Sequence, residues 1–243
     1  METQQLSWLT MIRDVWDVFW NCLLAKQDSL RNCWRQSLFC FSVFILQEAL
    51  MKKVLNVGGN SKEIPLPPQY AEWEHILLDI DPKSNPDIVC DARELSSLPG
   101  SIYDSIYCSH NLEHYYQHDA LKVLTGFTHV LKADGFAYIL VPDLGELMQV
   151  VVEKKLDIDD FLYQSSAGPI TVRDVIYGYG VEIERSGHHF FGHKTGFTQK
   201  SLVSILKTAG FPWIFSGVGN LEVMALAFLN KPTEDAAKMF NLS

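Results

Sequence analysis

The chain has little that marks a secreted, membrane-spanning or nucleic-acid-binding protein. Its five cysteines (Cys22, Cys33, Cys40, Cys90, Cys108) are odd in number and form no CxxC pair, so neither a disulfide framework nor a zinc ribbon is suggested and a reducing cytoplasm fits best. Basic charge is short: the formal net charge is −9, which argues against nonspecific binding to nucleic acid or anionic lipid. The most apolar stretch, Ser37 to Leu46, is bounded by Arg35 and Glu48 and is too short to span a bilayer. A signal peptide is not expected, because a basic end and a small-residue cleavage site are missing.

Residues 1–50 lack Gly and Pro altogether, yet hold Trp8, Trp16, Trp20 and Trp34. Leu9, Ile12, Trp16, Phe19 and Leu23 recur at helical spacing, which predicts an amphipathic helix in a helical, aromatic-rich extension. Three roles are open for it: packing on the rest of the fold, docking at a partner or membrane surface, or an extension upstream of a protein that starts at Met51.

What is present begins at Lys53. Lys53 to Val57 is a branched apolar run ended by Gly58-Gly59-Asn60, residues that tolerate a sharp turn. About twenty residues on, His75 to Asp81 is a second apolar run closing on two acids, Asp79 and Asp81. In a doubly wound sheet such a turn lets a ligand approach the backbone, and the acid after the second strand can accept hydrogen bonds from ribose hydroxyls. A full dinucleotide fingerprint is missing: Asn60 replaces a spaced glycine, and Pro65, Pro67 and Pro68 forbid a regular helix behind it.

Further strands are expected at 86–91, 103–108 and 136–141, with a helical turn at 92–98 and a helix over 112–131 stopped by Ala133-Asp134-Gly135. Residues 144–194 read as a long irregular, cap-like insertion. A helix over 198–209 then precedes two strands, 212–216 and 222–229, joined through Gly217 to Asn220 as an antiparallel hairpin. Residues 51–231 thus form one domain, with a tail at 232–243.

In order, VLNVGGN, LLDIDP, DIVCDARELSSLP, YDSIYCSHNLEHY and HVLKADGFAYILVPD resemble the motifs of class I S-adenosylmethionine-dependent methyltransferases, and the type 11 group most closely. The resemblance implies an α/β, Rossmann-like sheet of seven strands, mostly parallel with a C-terminal antiparallel hairpin and helices on both faces. It implies S-adenosyl-L-methionine as cofactor, with Gly58 and Gly59 facing its methionine half, Asp79 on the ribose, Asp91 and the Ala92 backbone at the adenine edge, and Cys108, Ser109 and His110 beside the ammonium. HKTGFTQKSLVSILKTAGF is similar to a segment of members that modify cell-surface glycans, which implies O-methylation of a sugar or related small acceptor. Two departures from the pattern, Asn56 for an acid and Asn60 for a glycine, keep open a non-catalytic binding module of the same fold.

A hydroxyl acceptor needs a base working near neutral pH. His110 or His193 is preferred, with Asp143, His114, His188 and His189 also candidates; helix capping and surface solvation are the alternatives for His110, His114 and His118, and loop polarity for His188 and His189. No resident metal is expected. A rival reading takes His110-Asn111-Leu112-Glu113-His114 as the H-x-x-E-H pattern of a zinc metallopeptidase, with Glu182 or Glu184 as third ligand.

Overall fold

The computed structural model describes residues 51–165 and 167–242. The helix and apolar run expected within residues 1–50 lie outside the described residues.

Nine strands are described: β1 (Lys53–Val57), β2 (Glu74–Asp79), β3 (Ile88–Val89), β4 (Tyr103–Ser109), β5 (Leu131–Pro142), β6 (Phe161–Ser165), β7 (Gly168–Thr171), β8 (Trp213–Gly219) and β9 (Glu222–Phe228). The helices are α1 (Gln117–Val130), α2 (Leu144–Lys154), α3 (Val172–Tyr177), α4 (Gly180–Ser186), α5 (Gln199–Ala209) and α6 (Glu234–Met239). Seven strands form one sheet in the order β3-β2-β1-β4-β5-β9-β8, and β6 and β7 form a separate hairpin. β1 to β5 are parallel, while β9 runs antiparallel to β5 and β8 antiparallel to β9. This is a Rossmann-like arrangement, and its order reverses between β1 and β4.

Periodicity explains the first face. Ala120, Val123, Leu124, Phe127 and Val130 form one stripe of α1 and are fully buried against the sheet with Leu202 and Leu206 of α5. α5 starts at Thr198, whose hydroxyl and Ser201 cap each other's backbone N–H, and stops at Gly210 in the left-handed region (φ 108°). The other face packs Val54, Tyr70, Phe136, Leu226, Phe228 and Ala236 with Trp73 and Phe240. The tail at 232–243 therefore carries a helix, α6, that closes onto the sheet. As the prolines require, β1 and β2 are joined by a single 3-10 turn, Pro68–Tyr70, in place of a helix.

Several boundaries differ from expectation. α1 ends at Val130, because Leu131 is buried and pairs with Tyr103; Lys132 to Gly135 then bulge out of the ladder before Phe136 meets Ser105. Leu112–His114 is a separate 3-10 turn. The hairpin ladder runs through Gly217 and Gly219 to a two-residue turn, Asn220-Leu221, with φ of 56° and 63°.

The insertion is ordered rather than irregular. Leu147, Ile170, Val172 and Val175 give it a small core of its own. Its α3 begins with a reciprocal cap in which Asp174 accepts from the Thr171 backbone N–H (2.9 Å) and hydroxyl (2.7 Å) and from the Gly180 N–H (3.0 Å). Burial alone would raise the Asp174 pKa, but these hydrogen bonds outweigh it and hold the carboxyl below its usual 3.8. A depressed folded-state value contributes stability that is complete above the unfolded pKa and is lost as pH falls through the folded one. Asp174→Asn should therefore cost most near neutrality, with the deficit shrinking below about pH 4. Urea unfolding of both proteins between about pH 6 and about pH 2 checks this, and a deficit independent of pH would refute it.

Candidate active site

The ends of β1, β2 and β4 surround a cleft of about 280 Å³ at the carboxyl edge of the sheet. Gly58 opens it at φ 71°, with its N–H bonded to Leu78 O (2.8 Å). Only glycine fits, since a Cβ there would lie 2.0 Å from Asn111 Nδ2. Asp79 ends β2 almost buried, its carboxylate accepting from the Asn60 N–H (3.1 Å) and the Asp81 N–H (2.9 Å). It thereby ties the glycine turn to β2 and keeps lone pairs for a ligand.

Asp91, Ala92 and Arg93 line the opposite side. Asp91 caps the turn Ala92–Ser97 and is clamped by the Arg93 guanidinium (Nε to Oδ2 3.0 Å, Nη2 to Oδ2 2.6 Å). Burial opposes its charge, but the Arg93 hydrogen bonds hold the carboxyl below its usual range. Gly59 does not line the cleft; its open side receives the Asn56 amide, which is bonded to His75 Nε2 at 3.2 Å.

A second cavity of about 550 Å³ lies between β5, the β8–β9 turn and the insertion. Tyr163, Asp174, Tyr179, His193, Asn220 and Glu222 line it, and His110 lines both cavities. His110 is a non-glycine residue held at φ 50°, its Nε2 2.7 Å from Glu222 Oε1 and its Nδ1 3.5 Å from Glu113 Oε1. Burial works against its charged form, but Glu113 and Glu222 outweigh it and push the imidazolium up to about 10. Near neutral pH it thus offers no free lone pair, which does not suit the base expected of it. In His193, Nδ1 lies 3.0 Å from Val175 O, and burial keeps the imidazole below its usual value.

Other expected site residues lie elsewhere. Asp143 lines neither cavity; it accepts from the Gly145 N–H (2.8 Å) as the cap of α2. Cys108 is sealed in the core, and burial pushes its thiol far up. Ser109 also lines neither cavity, because alternation along β4 turns it to the face shared with Tyr107. His188 stacks on Phe190, and His189 is exposed. The H-x-x-E-H reading fails on backbone geometry: His110 is left-handed and α1 starts only at Gln117, so His110 and His114 share no helical face. Glu182 pairs with Arg185 instead of approaching Glu113 and His114.

Two features escaped the sequence. Asn111 is half-buried and Glu113 buried, and each has side-chain oxygens shut off from solvent that lack any hydrogen-bond partner among the described residues: Oδ1 of Asn111 and both oxygens of Glu113. Both stand in the H-x-x-E-H stretch, which singled out Glu113 but gave no sign of its burial.

No protein-family model matches the chain, and no curated protein matches it significantly. Solved structures with a similar fold include an S-adenosylmethionine-dependent methyltransferase from Archaeoglobus fulgidus (16% identity, 79% of this chain and 93% of that one, TM-score 0.48). Others come from Methanosarcina mazei (16%, 77% and 98%, 0.47) and Thermotoga maritima (13%, 76% and 86%, 0.45). Likeness at this level assigns neither substrate nor residue roles to this chain.

Proposed function

We propose that the protein transfers a methyl group from S-adenosylmethionine to a hydroxyl of a sugar or related small acceptor. The observation that carries this reading is the pair of cavities meeting at His110 on the carboxyl edge of the sheet, one lined by the Gly58 turn and Asp79 and the other by tyrosine, histidine and carboxylate side chains. The residues of the first cavity fit the cofactor. Gly58 lines the cleft with its backbone, Asp79 has lone pairs for ribose hydroxyls, and Asn111 Oδ1, without a partner among the described residues, can accept from an ammonium. Asp91 fits less well at the adenine, since Arg93 already occupies its carboxylate.

The cofactor supplies a sulfonium methyl already activated for transfer. The chain's own task is to hold the acceptor in line and keep water out, and alignment alone can lower a barrier by about 7–11 kcal/mol. Tyr163, Tyr179, Asn220 and Asp174 offer the donors and acceptors that a hydroxyl-rich ligand needs.

Calorimetric titration of the intact protein with S-adenosylhomocysteine should show one saturable site. His193→Ala should retain that binding while losing methyl transfer, because His193 lines only the acceptor cavity. No binding by the intact protein would overturn the proposal and leave a non-catalytic module of the same fold.

A further inference from the structure

We propose that Glu113, His114 and His193 form a binding site for one divalent first-row transition metal ion in the wall between the two cavities. One potential ligand atom from each lies within 4.8 Å of the others. In a tetrahedral site, ligands about 2.1 Å from the ion stand about 3.4 Å apart, so the three side chains must close by at most about 1.4 Å to make the cluster a site.

Glu113 is the main reason to expect an ion. It is 1% exposed, and among the described residues neither carboxylate oxygen has a hydrogen-bond partner. A buried carboxylate left so is costly unless a cation compensates it. His110 at 3.5 Å supplies part of that charge without hydrogen-bond alignment, and a carboxylate has lone pairs for a second cation.

Both histidines are arranged as ligands. His114 directs Nδ1 at Gly192 O (3.3 Å) and His193 directs Nδ1 at Val175 O (3.0 Å), so each ring donates there and keeps the Nε2 lone pair. Carbonyl partners of this kind fix the tautomer of metal-bound imidazoles. The backbone locks the three residues together: the Lys194 and Thr195 N–H groups donate to Glu113 O (2.8 and 3.2 Å), and Lys194 Nζ donates to His114 O (2.9 Å).

Two imidazoles and one carboxylate suit zinc, iron(II), cobalt(II) or manganese(II) better than magnesium or calcium, and leave coordination positions open. His114 lines the first cavity and His193 the second. If the chain is the methyltransferase proposed above, an acceptor oxygen is the natural group to fill an open position.

The test is titration of chelator-treated, full-length protein with cobalt(II), followed by visible absorption, and with zinc(II) by calorimetry. One equivalent should bind. Glu113→Gln, His114→Ala and His193→Ala should each weaken binding by at least about tenfold to a hundredfold, the loss already typical of outer partners. His118→Ala and His189→Ala should bind as the parent does. Failure of the parent to bind one equivalent, or full-strength binding by the three ligand variants, would overturn the inference. Circular dichroism checks each fold, and Glu113→Gln, nearly isosteric, decides the matter if an alanine variant does not fold. S-adenosylhomocysteine binding to the metal-free protein separates the two proposals: present while added cobalt fails to bind, it leaves the metal site alone refuted; absent while cobalt binds, it refutes the function alone.

Discussion

Asp79→Ala is expected to weaken S-adenosylhomocysteine binding by at least about a hundredfold. Hydrogen bonds to charged groups contribute about 1.5–3 kcal/mol each, so losing two to the ribose hydroxyls removes roughly 3–6 kcal/mol. The same carboxylate also accepts from the Asn60 and Asp81 backbone N–H groups, so the variant frees the turn that must receive the ligand. Asp81→Ala is the matched control: its side chain caps Lys83 at the rim, and its loss should change the dissociation constant by no more than a few-fold. Calorimetry on both decides. An unchanged constant in Asp79→Ala would place the adenosyl ligand elsewhere.

Phe127→Ala should destabilise the fold by about 3–5 kcal/mol. The ring is fully buried on α1 within the core that joins α1, α5 and the sheet, where neighbours anchored in strands cannot easily collapse into the space left behind. For a domain of this size that corresponds to a drop of roughly 6–20 °C in melting temperature. Thr125→Ala, on the exposed side of the same helix, should stay within about 0.5 kcal/mol of the parent. Urea unfolding measures both, and a loss below about 1 kcal/mol for Phe127→Ala would mean that α1 does not pack as described.

Local patterns were enough for much of the scaffold. The apolar runs at 53–57 and 75–81, the stripe of α1, the Thr198 cap and Gly210 stop of α5, and the prolines excluding a helix after β1 each act within a few residues, so each can be read from its neighbours. Gly58 and Asp79 were legible for the same reason, since a turn and the end of a strand are short-range features. That these strands join in one seven-stranded, mostly parallel sheet was implied by resemblance to a family; their order came only from the structure.

The remainder was decided by contacts between distant parts of the chain. Asp143 looked like a base beyond β5, but capping α2 claims its carboxylate. Ser109 looked like a cofactor contact, yet the pleat of β4 turns it to the opposite face. His110 and His114 share a pattern that binds metal on a helix, and a left-handed His110 bonded to Glu222, 112 residues away, separates them. His193 reaches Glu113 and His114 only because the insertion folds back and donates its main chain to Glu113. By itself the sequence determined which segments become strands and helices and where a ligand could approach β1, because those depend on neighbours. Which polar groups are buried together, and so which of them can do chemistry, depended on tertiary packing, because burial and charge pairing are properties of the assembled fold.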